Sequence, residues 1–412
     1  MNQQLKIDYK KTFLIGFGFF ASSIAWSVYN SNVPLILEEY VVKSSVIGII
    51  MSIDNVFAVI FQPLFGALSD KTRTKRGRRL PFMLVGIPVC ALLFTFIPSM
   101  TSLLPLMFVI IIFNFIMSTW RAPAVALMPD VTPAPLRSKA NGVINLMGGL
   151  GAVFAFLVGG KLLEYGRAYP FLFTSVMMML AWLLLYFFVK EPQQTAEEAV
   201  EETAAAPAEK ASLNRSLLFI LLAIFFWFTG YNAVETFFTL YATKVLHVSG
   251  SVATMTLTFF SLALVVGAIP AGFIGTKYGR KNTIRFGLIG MIALFGVQIL
   301  VTNIMVIRIC FVLAGLCWAL VNINSLPMVV EIARSNSIGK YTGYYYFFAS
   351  SAAILSPILF GFLNDMTTKN YNLLFLYSVV GFILAFVCIN QTKHGETSYT
   401  SQEALQEAEE LD

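Results

Sequence analysis

Three ionisable residues stand where such residues are costly. Asp54, Arg121 and Glu235 each lie well inside a long apolar run. A charge at the centre of a bilayer costs several kcal/mol unless it is paired or faces a wet cavity. Asp54 precedes Asp70 by sixteen residues, which is about 24 Å along a helix rising 1.5 Å per residue. Arg121 precedes Asp130 by nine residues, about 13 Å by the same rise. Two kinds of chemistry suit these groups. In one, Asp54 or Glu235 takes up a proton or another cation, and Arg121 pairs with an acid or holds a substrate hydroxyl. In the other, Asp54 and Arg121 form structural pairs, and Glu235 reaches water at the far end of its helix. Among the aromatic and amide residues of the apolar runs, Trp26, Tyr29, Asn30, Trp120, Tyr231, Asn232, Asn322 and Asn324 are the candidates for a binding site. Aromatic faces stack on the C–H side of a sugar, and amides both donate to and accept from its hydroxyls. Such a set suits a neutral polyol.

Other chemistries find little support. His247 and His394 lie away from mid-membrane positions, and no nucleophile–base constellation is visible, so the sequence reads as no enzyme and calls for no cofactor. Cys90, Cys310, Cys317 and Cys388 sit in apolar runs without a CxxC spacing, which speaks against a metal or disulfide role. Gly142, Gly148, Gly149, Gly151, Gly159 and Gly160 lack the Lys-Ser/Thr ending of a phosphate-binding loop and read as small residues for helix packing.

The elements that hold these side chains follow from composition. Of 412 residues, 57% are hydrophobic and only 12% charged, about half the charged fraction of a soluble domain. The mean hydropathy is +0.75. The apolar runs are too long for membrane strands and do not alternate, so the chain reads as an all-α membrane protein whose solvent is the lipid bilayer. Twelve helices are expected, over 12–37, 44–69, 80–98, 102–129, 136–164, 169–190, 214–245, 249–275, 282–301, 303–331, 338–364 and 371–391. The first is too long, and too soon followed by a second, for a cleaved signal peptide.

The loop Gly66–Arg79 carries Asp70 and then Lys71, Arg73, Lys75, Arg76, Arg78 and Arg79, and a degenerate copy spans Gly272–Lys281. Lysines and arginines concentrate in the short segments at this end, which predicts that both termini are cytoplasmic. The net charge of +6 therefore reads as topology and not as nucleic-acid binding. Tyr29-Asn30 matches Tyr231-Asn232, Gly77-Arg78 matches Gly279-Arg280, Asp130 matches Glu331 and Gly142 matches Gly343, at offsets of 201 or 202 residues. Two pseudo-symmetric six-helix bundles follow. The expected organisation is a first bundle over 1–190, a solvated Ala/Glu-rich linker over 191–213, a second bundle over 214–391 and an acidic tail over 392–412.

The paired loops resemble the signature of the major facilitator transporters, whose parallel six-helix repeats pack about an axis along the membrane normal. Within that superfamily, Gln62-Pro63-Leu64-Phe65-Gly66, Arg76-Gly77-Arg78-Arg79-Leu80-Pro81-Phe82 and Trp120-Arg121-Ala122-Pro123 with Ala126-Leu127-Met128-Pro129-Asp130 look like the sucrose and maltose carriers. Those carriers stand near the glycoside-pentoside-hexuronide cation symporters. The resemblance implies a multi-pass cell-membrane carrier that works as a monomer, with a sugar as substrate and a co-transported proton, alternating access about a midplane site, and a cavity lined by helices one, four, seven and ten. It also implies an inner gate. There Gly66 and Gly272 would let helices two and eight approach eleven and five, Asp70 would face the start of helix eleven, Arg78 or Arg79 would meet Asp130, and Arg280 would meet Glu331. Two departures stand out: Asn114 falls where the plant carriers have an acid, and Thr276 replaces the acid of the second loop. A drug exporter's Gly-Pro pair is missing from helix five. An exporter or facilitator of another amphipathic solute, or a transporter-like sensor, remains the alternative.

Overall fold

The computed structural model describes residues 9–133, 136–191, 215–331, 338–367 and 370–392. The expected linker and tail, apart from Glu191 and Thr392, lie outside the described residues. Among the described residues, twelve helices are long and apolar enough to cross a membrane: α1 Tyr9–Glu38, α2 Ser44–Lys71, α3 Leu80–Ser99, α4 Leu103–Val131, α5 Ala140–Leu162, α6 Tyr169–Phe188, α7 Arg215–Lys244, α8 Gly250–Tyr278, α9 Arg280–Leu300, α10 Ile304–Glu331, α11 Lys340–Met366 and α12 Leu373–Asn390. Helices are the expected solution because a backbone in lipid must satisfy its own hydrogen bonds.

The packing repeats itself between the halves. In the first, α1 packs on α5 and α6, α2 on α4, and α3 on α4 and α6; in the second, α7 packs on α11 and α12, α8 on α10, and α9 on α10 and α12. Each pairing maps onto its counterpart when six is added to the helix number. The halves meet along α1·α7, α2·α11 and α5·α8. Glycines make the close approaches. A Cβ on Gly48 would overlap the Pro357 carbonyl, one on Gly361 would overlap the Ser44 carbonyl, and one on Gly149 would press on Val265. The glycine-rich run of α5 thus serves helix packing, and α5 also carries a π-helical turn at Ala155–Gly159.

Contacts between the halves are unequal along the membrane normal. At the end opposite the basic loop, Lys244 pairs with Glu38 at 3.0 Å, Ser251 donates to Glu164 at 3.2 Å, and the carboxylate of Asp365 reaches α2. Asp365 Oδ1 accepts from Ser44 N at 2.7 Å, while Oδ2 accepts from Ser45 N at 2.9 Å and Ser45 Oγ at 2.5 Å. Ser44 and Ser45 open α2, whose preceding residue, Lys43, supplies no side-chain cap. The other half therefore caps this helix, meeting orphan N–H groups and the positive end of the dipole. At the basic-loop end, the ion pairs among described residues all stay within one half. The molecule is thus latched at the end opposite the basic loop.

Candidate functional site

The cavity between the halves is built mainly by four helix faces, with Phe295 of α9 and Phe311 of α10 completing the lining. From α1 come Ser27, Asn30 and Ser31; from α7, Tyr231, Val234 and Glu235; from α5, Gly149, Ala152 and Phe156; and from α8, Leu257, Phe260, Ser261, Leu264 and Val265. Spacings of three, four and seven place each set on one face of its helix. The free space amounts to about 130 Å³, room for about four waters. Its floor joins the halves: Asn30 Nδ2 donates to Glu235 Oε1 at 3.3 Å. Above this bridge Tyr231 stacks on Trp318, ring centres 4.6 Å apart and planes within 5°, which fixes its orientation toward the cavity.

The three membrane-depth ionisable residues sit close enough to influence one another. Asp54 is within electrostatic reach of both Arg121 and Glu235. Helix α2 is interrupted at Ser52, so Asp54 lies in the first turn of the segment Ile53–Lys71, where the dipole favours an anion. Asn55 donates to Asp54 Oδ1 through its backbone N–H at 2.6 Å and its amide at 2.8 Å. Arg121 donates to Ser22 Oγ at 2.7 Å. Asp54 and Arg121 are both half-buried, deep in the protein but with surface left open. With all three ionised, their formal charges and that of Glu235 would sum to one negative charge across the two halves.

The other aromatic and amide residues of the expected site do not line this cavity. Tyr29 is fully buried, stacks on Phe113 and accepts from Asn114 Nδ2 at 3.1 Å. Trp26 meets Tyr29 and Phe113 edge-on. Trp120 is buried over Gly86, where a Cβ would strike its ring. Asn324 donates to the Ala271 and Leu320 carbonyls at 3.0 Å each and ties α10 to α8. Asn232 turns back to the Phe228 carbonyl of its own helix at 2.7 Å. Asn322 is half-buried, and its carbonyl accepts from Ser325 Oγ at 2.7 Å. The cavity thus holds Asn30, Tyr231 and Glu235 from the expected set. It adds Ser27, Ser31 and Ser261, whose only sequence signal is a hydroxyl one helical turn from a polar neighbour or inside an apolar face.

At the basic-loop end, Arg78 forms two bonds to Asp130, Nη2 to Oδ1 at 2.7 Å and Nε to Oδ2 at 3.0 Å. Burial opposes the charge on Arg78, but the bonds to and field of Asp130 outweigh it and raise the pKa. Arg79 also reaches Asp130 Oδ2, at 2.9 Å, and pairs with Asp70. Its backbone N–H and that of Leu80 donate to Glu191 Oε2 at 2.8 and 3.1 Å. Sequence reasoning missed Glu191, a single acid next to the linker. Arg280 pairs with Glu331 at 2.5 Å. A Cβ on Gly66 would find Ala122 of α4 at 3.7 Å, and one on Gly272 would find Ile323 of α10 at 3.9 Å. In this state both glycines therefore face their own half, and residues 332–337, leading into α11, lie outside the described residues. Among the described residues, no cluster of His, Cys, Asp and Glu could hold a metal.

The profile of the Major Facilitator Superfamily matches residues 15–357 and 241–405. The tetracycline resistance protein, class H, of Pasteurella multocida is 24% identical over 377 residues, covering 86% of this chain and 89% of that protein. An uncharacterized symporter of Synechocystis sp. is 27% identical over 181 residues, 40% of this chain and 32% of its own length. Among solved structures, a bacterial homolog of the human lysosomal transporter Spinster, inward-facing and occupied, superposes with a TM-score of 0.75 at 12% identity, covering 94% of this chain and 96% of that one.

Proposed function

The chain belongs to the Major Facilitator Superfamily, and from that premise we propose that it is a proton-coupled symporter of sugars or glycosides, of di- or oligosaccharide size, working by alternating access in the cell membrane. The observation that carries the proposal is the Asn30–Glu235 bridge between the halves, set in a cavity with a fixed aromatic face and three hydroxyls. A neutral polyol can take over both ends of that bridge: its hydroxyls donate to the carboxylate and accept from the amide. The net negative charge of Asp54, Arg121 and Glu235 supplies the place for a proton. In this reading the substrate replaces the direct contact between the halves, and Asp54 links proton uptake to closure. The cavity of about 130 Å³ is smaller than pockets that enclose drug-sized ligands, about 300–1,000 Å³, so the halves must part to admit a disaccharide.

We assign the basic-loop end to the cytoplasm, with both termini there, from the excess of Lys and Arg at that end. The latched end then faces outside. The organisation proposed is two bundles, 1–190 and 214–391, joined by a linker over 191–213 and followed by the tail 392–412, acting as a monomer. The inner gate is assigned to Gly66, Asp70, Arg78, Arg79 and Asp130 with Gly272, Arg280 and Glu331.

Uptake of labelled sucrose and maltose into liposomes carrying the purified protein, under an imposed inward proton gradient with an ionophore control, tests the proposal. Gradient-dependent accumulation of either sugar supports it; exchange without accumulation removes the coupling, and transport of neither removes the sugar. A second reading has its own support. The cavity wall is mostly aliphatic and aromatic around a single carboxylate, and the relative matched over most of its length is a tetracycline resistance protein. This reading makes the chain an exporter of an amphipathic solute, for which energised cells would lose tetracycline instead of accumulating sugar.

A further inference from the structure

A groove on the outer surface of the first half, remote from the cavity, has the make-up of a headgroup site. It lies between the start of α3 and the end of α6 and encloses about 420 Å³. Its cations, Lys75, Arg76 and Lys190, come from the basic loop and from just beyond α6, outside both spans. Its accessible apolar surface is half-buried Leu84 and the exposed Tyr186 ring, from the adjoining turns inside the spans, backed by buried Leu80 and Leu185. Charge therefore stands at the water boundary and hydrocarbon lies directly beneath it.

The cationic rim is held in place by a column of rings. The Arg76 guanidinium lies 4.0 Å from the centre of the Tyr186 ring. Tyr186 in turn stacks on Trp182, 5.3 Å away and tilted by 28°, and Trp182 Nε1 donates to the Leu84 carbonyl at 2.8 Å. The column is thus pinned to both α6 and α3. A guanidinium held by cation–π contact keeps its planar N–H fork for a phosphate oxygen. Glu191 is the carboxylate on this wall; its oxygens accept from the backbone N–H groups of Arg79 and Leu80, so it caps α3, and its single negative charge stands against the three cations of the rim. Tyr186, Phe187 and Phe188 are exposed at the end of α6, in the position of an aromatic belt at the membrane interface.

We propose that this groove binds the phosphate headgroup of an anionic phospholipid of the cytoplasmic leaflet, with its glycerol and first acyl carbons against Leu84 and the exposed aromatic end of α6. Basic pockets between helix ends at this membrane surface suit such headgroups. A free phosphate ion shares the headgroup chemistry but would leave the apolar wall uncovered. An occupied groove holds Arg76 in place, three residues before the Arg79 that is bonded to Asp70 and Asp130, and so steadies the basic loop against its own half.

Native mass spectrometry of the purified full-length chain with phosphatidylglycerol or phosphatidylcholine tests this. The intact protein should retain phosphatidylglycerol over phosphatidylcholine, and Arg76→Ala with Lys190→Ala should weaken that preference by about fivefold per cation removed. The charge-matched control Lys71→Ala with Lys277→Ala removes exposed cations at the same end that do not line the groove, and should keep the preference. Should Arg76→Ala not yield monodisperse protein, Lys190→Ala alone should still give its about fivefold loss. The proposal is overturned by equal losses in the groove and control variants, by an unchanged preference in the groove variants, or by the lack of any preference in the intact protein. Displacement of the bound lipid by millimolar inorganic phosphate would also overturn it, by assigning the groove to the free anion.

Discussion

Replacing Asp365 by alanine removes the acceptor of three hydrogen bonds that cross between the halves at the end opposite the basic loop. Bonds to a charged group contribute about 1.5–3 kcal/mol each. Asp365 is half-buried, so water recovers much of the loss, and a net cost of about 2 kcal/mol to the latched state is the reasonable figure. The neighbouring Lys244–Glu38 pair is half-exposed on its lysine side and contributes at most about 1 kcal/mol. Asp365 therefore holds this end more strongly than the ion pair does, and its loss should raise the open-to-closed ratio there by ~30-fold at 1.4 kcal/mol per decade. Spin labels on Val42→Cys and Asn370→Cys, both exposed loop positions on opposite halves, read this ratio as a distance distribution. The native cysteines are buried or half-buried and should remain unlabelled. The intact chain should give one short distance, and Asp365→Ala a second, longer population. The same distribution in both would refute the idea that a cap supplied by the other half holds this end shut. A larger effect from Glu38→Gln than from Asp365→Ala would refute the ranking.

The remaining expectations concern the cavity and the packing around it. Asp54→Asn should retain exchange of the transported sugar across liposomes but lose accumulation driven by a proton gradient; full accumulation would remove Asp54 from coupling. Glu235→Gln keeps an acceptor for Asn30 but removes the charge, so it should weaken coupling more than sugar exchange, as separate counterflow and gradient-driven assays can measure. Gly86→Ala forces a Cβ into the Trp120 ring and should destabilise the first half by about 1–3 kcal/mol, read as a lower unfolding temperature. Asp130→Asn leaves Arg78 and Arg79 in a nearly closed site without their shared carboxylate. It should cost about 3–5 kcal/mol, so heating a detergent-solubilised sample should show a loss far larger than for Asp365→Ala.

The twelve spans were legible because lipid demands long apolar runs, and the halves because residues such as Asp130 and Glu331 keep register. Helix ends were less legible. The eighth helix runs on to Tyr278 and the ninth starts at Arg280, because Gly279, at φ +86°, turns the chain within a single residue. The site divided unevenly between matched positions. Tyr29 and Tyr231 share the same Tyr-Asn step, yet Tyr29 is locked into the core by Asn114, while Tyr231 lies against Trp318 and lines the cavity. What separates them is a partner on another helix, which one-chain periodicity does not report. Asp365 escaped notice for the same reason: the helix that it caps begins more than three hundred residues earlier.

The two ends of the molecule use charge for different purposes. Arg79 is 5% exposed, and its contacts run to Asp70 and Ser69 of α2, Asp130 of α4 and Glu191 beyond α6. That arrangement ties helices of one half together and leaves nothing of Arg79 to offer the other half in this state. Asp365 does the reverse: the bonds of its carboxylate cross the divide. Alternating access requires halves that move as bodies and a seam that can open. Deeply held arginines suit the first requirement, because breaking a buried pair is costly. A half-exposed carboxylate on the end of a helix suits the second, because water can replace what is lost when the seam parts. The Asn30–Glu235 bridge lies between these extremes, at 3.3 Å a bond weak enough for a substrate hydroxyl to displace and placed where displacement is felt by both halves at once.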